Sequence, residues 1–524
     1  VVRADLVGGA RLLNAASSWR CQSGEPGVRP FFDAGILGQG QVIAVLDTGI
    51  DADHCAFFDA EHGLPPANDD AATTTDPLQR KVIAVDFLWS GDWPDPGPWD
   101  WDDHGHGTHV AGSAAGDAGE PGVYDGSDGM APLARLVIQD GGAAVDACAD
   151  LPGLGCPVRP LEPVYGQSYA QGARIFSNSW GDAEEAIPGN VYTERTADVD
   201  RFVWTHRDAV MLFAAGNSGP EQGTVLSPST GKNVISVGAA VHGDEEPPCP
   251  AWFSSRGPTD DGRIKPDIVA PGQGVWSAAS DGVVSSGNCG LVPMSGTSMA
   301  TPTAAGLAAL VRQYLEEGRA PDGVPRPERG LEPSAALVKA VLVAAAVDMR
   351  ELGCAEVEPV PSPDQGWGLV QLDRALPLPG SGFRLLPLEI DPGLESVGES
   401  VSTTVELEAP GPLQAVLVWT DPPSTPDAVR HLVNDLDLVV RGPDGEYAGN
   451  VFADGASVPG GDPDRLNTVE VVRLPEAAAG RWTVEVRAAA LGHGPQPFAL
   501  VITGRVRAAG ARQPAGRGAA GFSR

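Results

Sequence analysis

Four residues of this chain carry side chains that could together perform acyl transfer. Ser298 lies in Met294-Ser295-Gly296-Thr297-Ser298-Met299-Ala300-Thr301-Pro302 and His106 in His104-Gly105-His106-Gly107-Thr108-His109-Val110-Ala111-Gly112. Asp47 closes Val42-Ile43-Ala44-Val45-Leu46-Asp47-Thr48-Gly49, and Asn217 sits in Ala214-Ala215-Gly216-Asn217-Ser218-Gly219. A hydroxyl can serve as nucleophile, an imidazole as base, a carboxylate as its orienting acid, and an amide as donor to an oxyanion. Each has an ordinary explanation when taken alone. Ser and Thr before a helix are capping residues, and an Asn in a glycine-rich turn commonly supports a left-handed backbone.

The surrounding sequence indicates which elements must position these groups. The small apolar run Ala304 to Val311 predicts a buried helix with Ser298 in its first turn. The unpaired N–H groups and partial positive charge of a helix start would favour an oxyanion there. Gly296 and Ala300 leave room for a substrate backbone. Val42 to Leu46 reads as a buried strand ending in a carboxylate, and functional groups collect at strand C-termini in open α/β sheets. His106 opens another small-residue helix, and Asn217 follows the apolar segment Val210 to Phe213.

In this order, Asp47-Thr48-Gly49, His106-Gly107-Thr108-His109-Val110-Ala111-Gly112, Ala215-Gly216-Asn217 and Gly296-Thr297-Ser298-Met299-Ala300-Thr301-Pro302 resemble the motifs of the subtilisin-like serine proteases, the subtilases. The resemblance spans roughly residues 36 to 376. It implies a serine endopeptidase of broad specificity, with Asp47, His106 and Ser298 as the triad and Asn217 with the Ser298 N–H as the oxyanion donors. It also implies that Ser179-Trp180-Gly181 is a substrate-binding edge for an extended peptide. Trp180 departs from the smaller apolar residue usual in subtilisin. Phe253 to Pro258 and Lys265 to Gly272 match further signatures of the family and are read as structural.

The expected fold is α/β: a doubly wound, mostly parallel, subtilisin-like sheet followed by a C-terminal all-β sandwich of jelly-roll type. Residues 1–35 are read as an N-terminal extension packed on the catalytic domain, 36–378 as the peptidase domain, 379–505 as the sandwich and 506–524 as a disordered tail. Short alternating runs at Val401 to Leu407, Leu413 to Trp419, Leu436 to Val440, Val469 to Leu474, Arg481 to Val486 and Phe498 to Ile502 support the sandwich. The segments around Asn434 to Leu438, Tyr447 to Asn450 and Asn467 to Glu470 resemble the jelly-roll domain of the oxidatively stable alkaline subtilases. That branch carries calcium, so a structural calcium ion is expected, with Asp435 and Asp437 as candidate ligands; solvated acids on one strand are the alternative. No catalytic cofactor is expected.

Other clusters are weighed on their own chemistry. Asp51, Asp53 and Asp59 could hold calcium but read more simply as solvated turn acids. His104, His106 and His109 with Asp102 or Asp103 invite a metal reading, yet their spacing matches no established zinc helix. His109, one helical turn from His106, is expected to pack inward. Trp89, Trp93, Trp99 and Trp101 mark an irregular loop that could line the cleft or simply pack on the surface.

With 35 Lys plus Arg against 69 Asp plus Glu, the net charge of −34 argues against a nucleic-acid partner, which would need a basic face. The longest apolar stretch, Ala335 to Val347, contains Lys339 and is too short to span a bilayer. Val1 to Asp5 lacks the pattern of a signal peptide, so the chain is read as starting near a mature N-terminus. A monomer acting outside the cell on protein or peptide substrates is expected. Seven cysteines suit disulfides there; the pairs expected are Cys148 with Cys156, Cys21 with Cys55 and Cys249 with Cys289, leaving Cys354 free. The alternative is that all are reduced and buried. Two other functions share the sequence features. A peptide-bond-forming relative would use the same acyl-enzyme, and a catalytically silent binding or scaffold protein would have a broken triad, which this sequence does not show.

Overall fold

A computed structural model describes residues 14–68, 72–88, 102, 105–119, 122–141, 160–182, 189–241, 247–283 and 285–511. The tryptophan loop, Asp103, His104, Cys148 and Cys156 lie outside the described residues.

The first half of the chain builds one ten-stranded sheet. Its strands are β1 (Val42–Asp47), β2 (Ala67–Asn68), β3 (Val82–Phe87), β4 (Arg135–Asp140), β5 (Ile175–Asn178), β6 (Val210–Ala214), β7 (Ile235–Val241) and β8 (Ile268–Gln273). The hairpin β9 (Val275–Ala278) and β10 (Leu291–Met294) stands apart, and β11 (Ala346–Val347) and β12 (Leu369–Val370) complete the sheet. The order is β11-β12-β8-β7-β6-β5-β1-β4-β3-β2, parallel throughout except between β11 and β12. β1, β3 and β6 are buried along their whole length. Such continuous apolar strands belong to a parallel sheet covered on both faces. β1 lies between β4 and β5, where the winding changes direction, and this is where α/β sheets open a crevice at their C-terminal ends.

Seven α-helices are described: α1 (Asn14–Gln22), α2 (Pro30–Asp33), α3 (His106–Ala115), α4 (Leu161–Ala170), α5 (Glu194–Thr205), α6 (Thr297–Glu316) and α7 (Ala335–Ala344). Phe31 and Phe32 of α2 are buried in the main core. α6 is buried from Thr297 to Leu315, so it is a central helix rather than a surface one. α7, capped by the Ser334 hydroxyl on Leu337 N–H, is buried on every face. It packs on the sheet through β6 and on the C-terminal region through β15 and β22, defined below. Its one cation, Lys339, bonds Asp267 (2.9 Å), which also takes Lys265 (2.7 Å).

The C-terminal region is antiparallel. Its strands are β13 (Arg384–Leu394), β14 (Ser400–Leu407), β15 (Gly411–Val418), β16 (Asn434–Gly442), β17 (Gly445–Ala448), β18 (Phe452–Ala453), β19 (Ala456–Ser457), β20 (Val469–Ala477), β21 (Gly480–Leu491), β22 (Gln496–Gly504) and β23 (Val506–Ala511). They form a sheet β13-β22-β15-β20, a sheet β17-β16-β21-β14-β23 and a small β18-β19 hairpin. Leu417, Leu438, Val484, Trp482 and Ile502 belong to the core between the sheets. On alternate positions, Val416, Val418, Val471 and Val501 join the core of the first half. The two halves also share a fully buried ion pair, Lys232 with Asp421.

Two expectations are corrected. Val506–Ala511, expected to open a disordered tail, adds an edge strand to β14. The described disulfides are Cys55–Cys289 and Cys249–Cys354, whereas Cys21 is a buried free thiol pushed up to about 12 by burial. Proximity in sequence misled this pairing, because the bonds close separations of 234 and 105 residues. Asp435 and Asp437, the candidate calcium ligands, face a guanidinium. Arg465 lies between them, 3.2 Å from Asp435 and bonded directly to Asp437, so a cation would have to displace a guanidinium. Among the described residues no group of three or more His, Cys, Asp or Glu could hold a metal ion.

Candidate active site

β1 delivers Asp47 to the C-terminal edge of the sheet, where its carboxylate is fully buried. Oδ1 accepts from the Thr48 N–H (2.9 Å) and from His106 Nδ1 (2.6 Å). His106 is the first residue of α3, and its side chain is 29% exposed. α3 comes this close because Gly107 has no side chain: a Cβ there would lie 2.2 Å from the Gly49 carbonyl oxygen. Burial alone would lower the His106 pKa. Asp47, and behind it Asp102, more than offset that, and the pKa stands above the ordinary histidine value. His109 packs inward as expected, with Nε2 on the carbonyls of Val275 (2.9 Å) and Val292 (3.1 Å), and burial pushes its pKa down to about 4.

Ser298 is the second residue of α6. Pro302, four residues on, has no N–H to give the Ser298 carbonyl. The Ser179 hydroxyl, just past β5, takes that place at 2.8 Å. In return the Ser298 hydroxyl donates to the Ser179 carbonyl at 3.2 Å. The first-turn N–H of Ser298 has no acceptor within its own helix.

Asn217 follows β6 and Gly216. Its Oδ1 accepts from the Thr297 N–H (2.9 Å) and the Thr297 hydroxyl (3.1 Å). Those two donors fix which end of the amide is oxygen, so Nδ2 faces outward. It lies 3.7 Å from where a Cβ on Gly296 would sit, and that Cβ would also be 3.5 Å from Ser298 N. The missing side chain of Gly296 therefore keeps open the space between the Asn217 amide and the Ser298 N–H.

Trp180 is half-buried edge-on against Phe213, with centroids 5.3 Å apart. Gly181 passes close to Leu226, 3.0 Å from a would-be Cβ. The structure thus brings together Asp47 with His106, Ser298 with Ser179, and Asn217 with Thr297. Asp435 and Asp437 belong to the sandwich and play no part here. Sequence reasoning missed the supporting groups Thr48, Asp102, Ser179 Oγ and Thr297. One signal was present: Pro302 at the fourth place after Ser298 announces an orphan carbonyl that some donor must satisfy.

Strand order, parallel pairing and the central helix define a subtilisin-like α/β protein. The Subtilase family model matches residues 38–368, and the chain belongs to that family of serine peptidases. It is 29% identical to Serine protease/ABC transporter B family protein tagD of Dictyostelium discoideum, over 79% of this chain and 28% of that protein. Serine protease AprX of Bacillus subtilis (strain 168) is 32% identical over 53% of this chain and 58% of its own length. The chain therefore spans under a third of tagD and just over half of AprX. Among solved structures it resembles Sphericase, with 25% identity, a TM-score of 0.43, and coverage of 64% of this chain and 92% of that one. Among the described residues no helix is long and apolar enough to cross a membrane.

Proposed function

We propose that the chain is a secreted serine endopeptidase of broad specificity that hydrolyses proteins through Asp47, His106 and Ser298. The observation that carries this reading is the 2.6 Å contact of buried Asp47 with His106 Nδ1. A proton on Nδ1 leaves Nε2 as the basic nitrogen. Rotation of the Ser298 side chain exchanges its bond to Ser179 for one to Nε2; resting geometries of such sites are commonly loose and tighten on substrate. Nε2 takes the hydroxyl proton as Ser298 Oγ bonds to the peptide carbonyl carbon. The resulting oxyanion sits between Asn217 Nδ2 and the Ser298 N–H. Protonated His106 then gives its proton to the leaving amine, and the C–N bond breaks to leave an acyl ester on Ser298. Water, deprotonated by the same nitrogen, attacks the ester and restores the hydroxyl.

Residues 179–181 would align an extended peptide through main-chain bonds, which supports broad specificity. The two described disulfides support an oxidising, extracellular setting. The test is hydrolysis of denatured casein together with labelling by a fluorophosphonate, for the protein and for Ser298→Ala. Cleavage and labelling lost together in the variant support the reading. Labelling without hydrolysis points to acyl transfer to an amine, and neither activity in the unaltered protein points to a silent scaffold.

A further inference from the structure

Asp102 is 1% exposed and joins the two loops that meet at the site. Its Oδ1 accepts from the Thr48 hydroxyl at 2.6 Å, and Oδ2 accepts from the Thr108 N–H at 2.6 Å. Its own carbonyl accepts from the Gly105 N–H at 2.9 Å. Thr48 Oγ1 in turn accepts from the Gly107 N–H at 2.8 Å. A continuous path therefore runs from the first turn of α3 through Thr48 to Asp102 and back to α3. It brackets Asp47 on one side and His106 on the other. Two of the residues it fixes, Thr48 and Gly107, are the chain neighbours of that pair.

We infer that Asp102 is a positioning residue for the triad: it locks the Asp47 loop to the start of α3. The inference rests on the serine-peptidase reading for its consequence but on geometry for its content. Asp47, Asp102 and His109 are the titratable groups that act on His106 or are acted on by it. His109 is neutral above about pH 4, so the charges felt by the imidazole are those of the two carboxylates. A negative charge favours the imidazolium. Removing it makes His106 lose its proton at lower pH.

The test uses three variants of the whole chain and includes a readout that needs no activity. Asp102→Asn can still accept from the Thr108 N–H and can donate to Thr48 Oγ1, so shape and capping survive while the charge goes. NMR titration of the His106 ring, assigned with His106→Ala, should move to lower pH in Asp102→Asn. In Thr48→Val, which breaks the link itself, the rate of fluorophosphonate labelling should fall on the order of tenfold to a hundredfold, the scale of a small misplacement. Thr48→Val keeps the side-chain volume but removes the hydroxyl, and Thr48→Ser does the reverse. If the hydroxyl link matters, Val loses the labelling rate and Ser retains it. An unmoved His106 titration in Asp102→Asn, or a Ser variant impaired while the Val variant is normal, overturns the inference. A moved titration in a protein that never labels upholds it and overturns the peptidase reading instead.

Discussion

Ser179 and Ser298 exchange two hydrogen bonds, each hydroxyl donating to the other residue's main-chain carbonyl, at 2.8 Å and 3.2 Å. The pair ties the end of β5 to the first turn of α6. Pro302 makes the arrangement necessary, since without an N–H at that position the buried Ser298 carbonyl has no helical partner. Ser179→Ala is expected to destabilise the protein by about 1–3 kcal/mol, because a buried acceptor loses its donor. Urea unfolding monitored by tryptophan fluorescence measures this. A loss under a few tenths of a kcal/mol would show that water replaces the hydroxyl.

Asn217 is held by its oxygen and presents its nitrogen, so Asn217→Ala removes the oxyanion donor together with the acceptor of the Thr297 N–H. Its kcat should drop about 10²–10³-fold with KM little changed, the magnitude known for the corresponding donor of subtilisin itself. Steady-state kinetics on a chromogenic peptide decide this. A rise in KM alone would mean that the amide binds the ground state.

His106 must be neutral to act as the base. Since its pKa is raised by Asp47 and Asp102 against the effect of burial, the acid limb of kcat/KM should fall above the ordinary histidine value. Activity is then lost as pH drops through that raised pKa. Asp47→Asn should move the limb to lower pH, besides lowering the rate through the wrong tautomer. A limb unaffected by the loss of the carboxylate would disconnect it from His106.

Asp51 and Asp53, expected as solvated turn acids, are instead buried four and six residues after Asp47. Burial, with Asp53 beside it, pushes the Asp51 carboxyl up to about 7. A carboxyl raised on folding leaves stability whole below its unfolded pKa and lowers it as pH rises from about 4 to about 7. Asp51→Asn can donate to Asp53 and still accept from Asp281 N–H. It should therefore raise the melting temperature at pH 8 and leave it unchanged at pH 4. Thermal scans at both values test this, and an equal change at the two would assign the effect to packing.

Much of the molecule was legible in one dimension. Asp47, His106, Asn217 and Ser298 stood out because each sits in a short run whose neighbours are fixed by local needs: small residues where helices and loops approach closely, glycine where backbone passes backbone. The alternating runs from Val401 to Ile502 announced strands through their period of two, and β14, β15, β16, β20, β21 and β22 cover them. β13 and β23 escaped notice. β13 alternates at Leu386, Leu388 and Ile390 but is interrupted by Pro387 and Pro392, and β23 holds no large apolar residue after Val506. The cysteine partners, Arg465 between Asp435 and Asp437, and Lys339 on Asp267 were also beyond sequence reasoning. These contacts join residues far apart in the chain, and their energy depends on distance and burial, which no local pattern encodes. Composition and motif thus determined which side chains could react. Tertiary structure alone decided which buried groups, Thr48, Asp102, Ser179 and Thr297, hold them in place, because a polar group excluded from water must find its partner in space rather than in sequence.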